Sequence, residues 1–187
     1  MSIAAPFFSQ STYWYLTRAS GLIALGLFTV TFALGLLTAG RVSSPRWPRF
    51  VTETLHRNMS LASVAFVVVH AVTILLDDYV QVGVAEMVVP FIGGYLPLWV
   101  GLGAIAFDVL LVVVLTSLIR TKMSYRSWRI VHWLAYLGWP IALVHTIGIG
   151  SDRLWVLIVV GVSAVAVLGC GAYRLAGWRR AAMRRPL

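Results

Sequence analysis

The chain has 187 residues, of which 60% are hydrophobic and only 11% are charged, and its mean hydropathy is +0.88. This composition excludes an ordinary soluble domain and predicts an integral membrane protein. A net charge of +9 would suggest a nucleic-acid partner in a soluble protein. In a membrane protein it indicates arginines retained on the cytoplasmic side, so membrane lipid, not nucleic acid, is the expected surrounding.

Five segments are apolar enough to cross a membrane, since a span needs about 20 predominantly apolar residues. All are expected to be helices, because lipid requires backbone polar groups to be bonded within the segment. The predicted fold class is all-α: an integral membrane helical bundle of about five transmembrane helices, forming a single transmembrane domain over residues 1–187. The helices are predicted at about residues 13–37, 58–76, 98–119, 128–147 and 154–173.

The basic residues predict the orientation of the bundle. Thirteen of the fifteen Lys and Arg lie in the loop after the first helix, the loop after the third helix and the tail. The opposite loops carry Asp77, Asp78, Glu86 and Asp152, with Arg153 against them. The positive-inside rule then predicts a multi-pass protein of the cell (plasma or inner) membrane, with the N-terminus outside and the C-terminus cytoplasmic. The thirteen basic residues are Arg41, Arg46, Arg49, Arg57, Arg120, Lys122, Arg126, Arg129, Arg174, Arg179, Arg180, Arg184 and Arg185.

All four histidines fall on the second and fourth predicted helices or at their ends. His56 and His70 are fourteen residues apart, and His132 and His145 are thirteen apart. At 1.5 Å rise per residue, the members of each pair lie about 20 Å apart along the helix axis. On the predicted topology they form a cytoplasmic level (His56, His132) and an outer level (His70, His145). One imidazole from each of two helices at each level is the arrangement needed for two hemes with two axial histidines each.

Helical phase supports one pair and constrains the other. Fourteen residues return to within about 40° of the same helix face, so His56 and His70 share a face. Thirteen residues miss by about 140°, so His145 needs a change of winding to face inward. We expect that change at Gly138–Pro140, because proline removes a backbone donor and kinks a helix. One zinc site is excluded, because zinc needs its ligands clustered and the two levels are too far apart.

The paired histidine spacing resembles the ferric reductase-like transmembrane family, which includes NADPH oxidases, ferric-chelate reductases and the heme-binding membrane partner of a bacterial methionine sulfoxide reductase. The oxidases hold two b-type hemes with histidine pairs fourteen and thirteen residues apart. The segment YLTRASG (Tyr15–Gly21) is similar to an arginine followed by small residues near the outer heme of the oxidases. The resemblance covers about Trp14 to Tyr173.

The resemblance implies two heme b cofactors, with His56 and His132 on the inner iron and His70 and His145 on the outer iron. Ile74 occupies a position where the oxidases carry a further histidine, which argues against an oxygen-reducing site built like theirs. The family core has six helices, one more than predicted here. A Gly-rich dinucleotide fingerprint is absent from the sequence, so a hydride-accepting domain is not expected in this chain.

Four arginines are candidates for binding heme propionates, since guanidinium groups bind carboxylates well. Arg18 lies just inside the outer end of the first helix and would face the outer heme; the alternative is that it snorkels to the interface. Arg57, Arg126 and Arg129 flank the inner histidines, although the orientation rule alone would also explain them.

The predicted function is a di-heme b-type membrane cytochrome, an oxidoreductase membrane subunit that carries electrons across the membrane. The expected donor is a separate flavoprotein reductase on the cytoplasmic side or membrane quinol, and the expected acceptor is a ferric complex or an extracytoplasmic protein. One alternative is a quinol-coupled cytochrome that serves an extracytoplasmic flavoprotein. The other is a heme-free membrane scaffold or proton-conducting bundle, with the histidines and Asp108 as relay groups.

Overall fold

The computed structural model describes residues 9–40 and 47–183. Throughout these residues the regular structure is helical and contains no strand, which confirms the predicted all-α class. Arg41, Arg46, Arg184 and Arg185, on which part of the orientation argument rests, lie outside the described residues. The helices are α1 (Gln10–Ala39), α2 (Arg49–Leu75), α3 (Val84–Val88), α4 (Pro97–Leu118), a 3₁₀ turn (Arg120–Lys122), α5 (Tyr125–His132), α6 (Ala135–Ile149) and α7 (Arg153–Met183).

Five spans long and apolar enough to cross a membrane are present in the described chain, which confirms the predicted number. Four of them are α1, α2, α4 and α7, and the fourth in chain order is formed by α5 and α6 together. The helix ends differ from the predicted ones. α2 begins at Arg49, nine residues earlier than predicted, so His56 lies two turns inside this helix. α7 continues to Met183, beyond its apolar part.

The surface and the interior of the bundle follow the rules for lipid and not for water. Many large apolar side chains remain exposed, including Val68, Leu118 and Leu168, as expected where the outside of a bundle faces lipid tails. Apart from Asp77, the buried polar side chains of the described residues are short hydroxyl residues, which let membrane helices approach closely. They include Ser20, Thr29, Thr31, Thr52, Ser63, Thr73 and Ser163.

α1 is the central helix, in contact with α2, α6 and α7, while α4 packs against α3, α5 and α6. The core between α1, α6 and α7 contains Leu25, Leu36, Trp139, Leu143 and Val167. The Trp139 ring stacks on Phe32 with ring centroids 5.3 Å apart. The indole Nε1–H of Trp139 donates to the Thr29 hydroxyl over 3.0 Å. This ring therefore joins α6 to α1 through both packing and a hydrogen bond.

The fourth span changes its winding at a different place from the one predicted. α5 ends at His132, Trp133 and Leu134 form a turn, and α6 begins at Ala135. The carbonyls of Trp133 and Leu134 accept bonds from backbone N–H groups three residues later, both over 2.9 Å, which is the tighter 3₁₀ winding. Pro140 lies inside a continuous α6. The change of winding therefore lies at Trp133–Leu134 and not at Gly138–Pro140. A proline affects the carbonyl four residues before it, here that of Tyr136, so Pro140 does not account for this turn.

Replacing Trp139 with alanine is expected to destabilise the bundle by roughly 3–5 kcal/mol, the usual cost of deleting a buried Trp or Phe ring. The matched control is Trp155→Ala on α7, whose side chain is 63% exposed and whose loss should cost less than about 0.5 kcal/mol. The measurement is the free energy of unfolding in detergent, followed by the loss of helical circular dichroism. Equal costs for the two variants would show that Trp139 does not join α1 to α6.

A candidate cofactor site at two levels

The structure brings the four histidines together in the two pairs that the sequence predicts. The rings of His56 and His132 face each other with centroids 6.2 Å apart and planes at 65°. His70 and His145 both line a cavity of about 490 Å³ near the other end of the bundle. His145 therefore faces inward, despite the thirteen-residue interval that separates it from His132.

The inner pair has the separation that a shared metal ion requires. A metal–imidazole bond is about 2 Å long and the ring centre lies roughly 1 Å beyond the nitrogen, so trans imidazoles on one ion have centroids about 6 Å apart. Among residues 9–40 and 47–183, no group of three or more His, Cys, Asp or Glu side chains could hold a metal ion. Each level thus presents two imidazoles, a number that would suit a porphyrin iron, since the porphyrin supplies four nitrogens itself.

The outer cavity has the size and lining of a cofactor site. Its volume falls within the range of about 300–1,000 Å³ typical of small-molecule and cofactor pockets. Apolar side chains from α1, α2, α4 and α6 form most of its walls, and Val82, Met87 and Tyr95 of the α2–α4 connection close one end. Such walls suit a flat apolar macrocycle.

Three of the four histidines are tied to the backbone of a neighbouring helix. The bonds run from Nδ1 of His56 to the carbonyl of Thr31 (2.9 Å), from His70 to Thr17 (2.7 Å) and from His145 to Trp99 (2.8 Å). A carbonyl oxygen only accepts, so each of these Nδ1 atoms carries the proton and donates. The lone pair of each Nε2 atom is then free, and the ring is oriented in the way usual for a metal-ligating histidine.

A glycine lies four residues after each of these carbonyls. In a helix, the side chain at position i+4 leans back over the carbonyl of residue i, and that carbonyl already accepts one helical bond. The absence of a side chain exposes its second lone pair to the imidazole. A Cβ added to Gly21 would lie 3.0 Å from the ring of His70, and one added to Gly35 would lie 3.4 Å from the ring of His56. A Cβ added to Gly103 would lie 2.6 Å from the ring of His145.

These carbonyl–glycine pairs were not predicted from the sequence, although α1 carries a signal for them. The segments TRASG (Thr17–Gly21) and TFALG (Thr31–Gly35) repeat the same Thr-x-x-x-Gly pattern at an interval of fourteen. His56 and His70 are separated by the same interval on α2. Because α1 and α2 are antiparallel, the first segment meets His70 and the second meets His56.

His132 lacks such a pair. Its Nδ1 is buried and has no hydrogen-bond partner. If the fourteen-residue interval of α1 were repeated along α4, a second glycine would follow Gly103 at position 117. That position is Ser117, and its hydroxyl donates to the carbonyl of Val113 over 2.7 Å. His132 instead stacks on Trp128, with ring centroids 4.9 Å apart and planes at 26°.

A family model described as ferric reductase like transmembrane component matches residues 20–143, which are well over half of the chain. The chain belongs to this family. Its matched part contains His56, His70 and His132 and ends two residues before His145. Neither a curated protein nor a solved structure matched the chain. Membership in the ferric reductase-like family identifies a multi-pass membrane component of electron transfer.

Of the four arginines predicted to bind propionates, Arg18 reaches a site of this ferric reductase-like domain. It lines the outer cavity and pairs with Asp152 over 2.6 Å. Its guanidinium lies 4.3 Å from the centre of the Trp14 ring, and its buried Nε has no hydrogen-bond partner.

The other three predicted arginines, Arg57, Arg126 and Arg129, are exposed at the opposite end. The guanidinium of Arg129 lies over the rings of Tyr125 and Trp133, 5.5 Å and 5.4 Å from their centres. Both of these rings belong to α5 or to the turn that follows it. Ile74, which stands where the oxidases of the family carry a histidine, lines the outer cavity as an apolar side chain.

Replacing Gly103 with alanine is expected to push the His145 ring out of place, because the added methyl group would stand 2.6 Å from it. The expected cost is about 1–3 kcal/mol of unfolding free energy, as for overpacking elsewhere. Gly26→Ala is the matched control, since a Cβ there meets nothing within 4 Å. Detergent unfolding of the two variants makes the comparison, and a Gly103 variant as stable as the Gly26 variant would contradict it.

Proposed function

We propose that the chain is a di-heme b-type membrane cytochrome that carries electrons from a flavoprotein or quinol on the cytoplasmic side to a ferric complex or a protein on the outer side. The observation that carries the proposal is the pair of imidazole levels, in which three rings have Nε2 freed by a bond from Nδ1 to a backbone carbonyl. Heme, when bound, supplies reversible one-electron chemistry. The family usually binds heme, which adds support.

The residues present fit two hemes. His56 and His132 would hold the inner iron, and their ring separation of 6.2 Å suits a common axial role. His70 and His145 would hold the outer iron within the apolar cavity. The apolar walls of that cavity would limit the access of water to a heme bound there, which is one means by which a protein sets heme potential.

Arg18 is the described side chain best placed to bind a propionate of the outer heme. Its unpaired Nε faces a buried environment, and a propionate would supply the missing acceptor. Its bond to Asp152 holds the guanidinium at the cavity while leaving that nitrogen free. The snorkelling alternative has less support, because the side chain is only 19% exposed.

The charge distribution supports the proposed direction across the membrane. The ends of α2, α4, α5 and α7 that lie beside the His56–His132 level carry the basic residues, as cytoplasmic ends do. The acidic Asp77, Glu86 and Asp152 lie beside the outer level. The described basic residues at those ends are Arg49, Arg57, Arg120, Lys122, Arg126, Arg129, Arg174, Arg179 and Arg180, whereas Arg18 and Arg153 lie at the opposite end.

A proton-conducting bundle has less support than a cytochrome. A relay needs polar groups in contact, yet Asp108 is absent from the residues that line the cavity of His70 and His145. Three of the histidines also have their Nδ1 atoms bonded to carbonyls. These bonds hold the rings in one orientation, which suits a metal ligand, whereas a proton relay needs rings that can rotate.

The deciding experiment is an absorption spectrum of the purified protein after expression with an adequate supply of heme. Dithionite-reduced protein is expected to show split b-type bands and two hemes per chain by pyridine hemochromogen assay. Purified, folded protein without heme would overturn the proposal and favour the heme-free bundle.

Replacing His70 with alanine is expected to remove the outer heme and to leave close to one heme per chain, because His56 and His132 remain in place. Ile74→Ala is the matched control: it lies one turn further along α2 and lines the same cavity without a ligand atom. Heme content and the reduced spectrum are the measurements. A His70 variant that keeps two hemes per chain would show that this residue is not a ligand.

A further inference from the structure

The inner pair is held asymmetrically. His56 has a carbonyl acceptor on α1 and a glycine four residues beyond that carbonyl. His132 has neither, and its buried Nδ1 is left without a partner. Since buried polar atoms are nearly always bonded, this ring needs a different means of orientation.

The position of His132 in the chain increases that need. It is the last residue of α5 and is followed by the turn at Trp133–Leu134. Helix ends fray more readily than helix interiors, where the other three histidines lie. A ring at such an end, without a hydrogen bond, would sample several rotamers.

Trp128 provides the missing constraint. It precedes His132 by four residues, so the two side chains lie on one face of α5, and their rings stack at 26° with centroids 4.9 Å apart. The indole is itself held from α4 and from the 3₁₀ turn. Its Nε1–H donates to the Ser117 hydroxyl over 3.4 Å, and the guanidinium of Arg120 lies over its ring at 5.4 Å.

Resting on the proposed heme function, we propose that Trp128 is the positioning residue of His132. The indole takes the role that a backbone carbonyl and a glycine have at the other three histidines. Ser117 anchors the indole of Trp128. It occupies the position on α4, fourteen residues after Gly103, where a second glycine would repeat the pattern of α1. The inner level would therefore offer a heme one imidazole oriented by a hydrogen bond, His56, and one oriented by ring stacking, His132.

Two substitutions of Trp128 test this assignment, with carbon monoxide as the probe of an open axial position. Trp128→Leu removes the ring and is expected to release His132, so that one of the two reduced hemes binds carbon monoxide. Trp128→Phe keeps a stacking ring and is expected to stay close to the wild type, with both irons six-coordinate. The matched control is Trp133→Leu, since Trp133 is 55% exposed and its ring lies under the guanidinium of Arg129.

The level is assigned by repeating Trp128→Leu in the His70→Ala background, where the inner heme alone is expected to remain. Carbon monoxide binding by that heme supports the proposal, and its absence overturns it. Ser117→Ala is a milder variant that removes the anchor of the indole and leaves the core intact. It is expected to give partial carbon monoxide binding at the same heme, which decides the case if Trp128→Leu fails to fold.

The possible failures are distinguishable. A wild-type protein that binds no heme overturns the proposed function itself. A wild type with two hemes, together with a folded Trp128→Leu variant that binds no carbon monoxide, overturns the role of Trp128 and leaves the cytochrome intact. Equal carbon monoxide binding by Trp128→Leu and Trp133→Leu also overturns it, because the effect would then not depend on the stacked ring.

Discussion

A hydrogen bond from an imidazole to a backbone carbonyl sets the arrangement of this bundle. Hydrogen bonds between membrane helices contribute only about 0.6 kcal/mol on average, so three of them cannot account for the stability of the fold. Their effect is on direction. Each bond fixes which ring nitrogen carries the proton and where the other one points, and each needs a helix that exposes a carbonyl already engaged in its own ladder. A glycine four residues later provides that exposure.

This requirement explains why α1 lies at the centre of the bundle. α1 must present the backbone carbonyls of Thr17 and Thr31, which are fourteen residues apart, to the histidines of α2. It must also pack against α6 and α7. Hydroxyl and small residues meet the first need, as in the bond between Thr17 and Thr73 over 2.9 Å. Leu25 and Leu36 meet the second. α4 has a similar role toward α6 through Trp99, but only at one level.

Much of the fold and the pairing of the histidines could be predicted from the sequence, because hydropathy and helical spacing are local properties. The number of spans follows from runs of apolar residues, and the two levels follow from the intervals between His56, His70, His132 and His145. The carbonyl partners could not be predicted in the same way, since a backbone oxygen leaves no mark on the sequence. Only the glycines that expose it do, and glycine in a membrane helix has several other uses.

The predicted place of the winding change in the fourth span was wrong. Proline is visible in the sequence and predicted the change at Gly138–Pro140, whereas the tighter turn lies at Trp133–Leu134, where the sequence has neither glycine nor proline. The direction of Arg18 was also open from the sequence alone, because its partner Asp152 lies in a distant loop and comes near only through the packing of α7 beside α1.

The turn at Trp133–Leu134 also puts a local change of winding between the two levels. His56 and His70 share one unbroken helix, so a shift or rotation of α2 alters both levels together. His132 and His145 lie on different helices, α5 and α6, so a tilt of α5 can change the inner level while α6 keeps the outer one in place. Substitutions among the eight residues of α5 are therefore expected to alter the inner level more than the outer one.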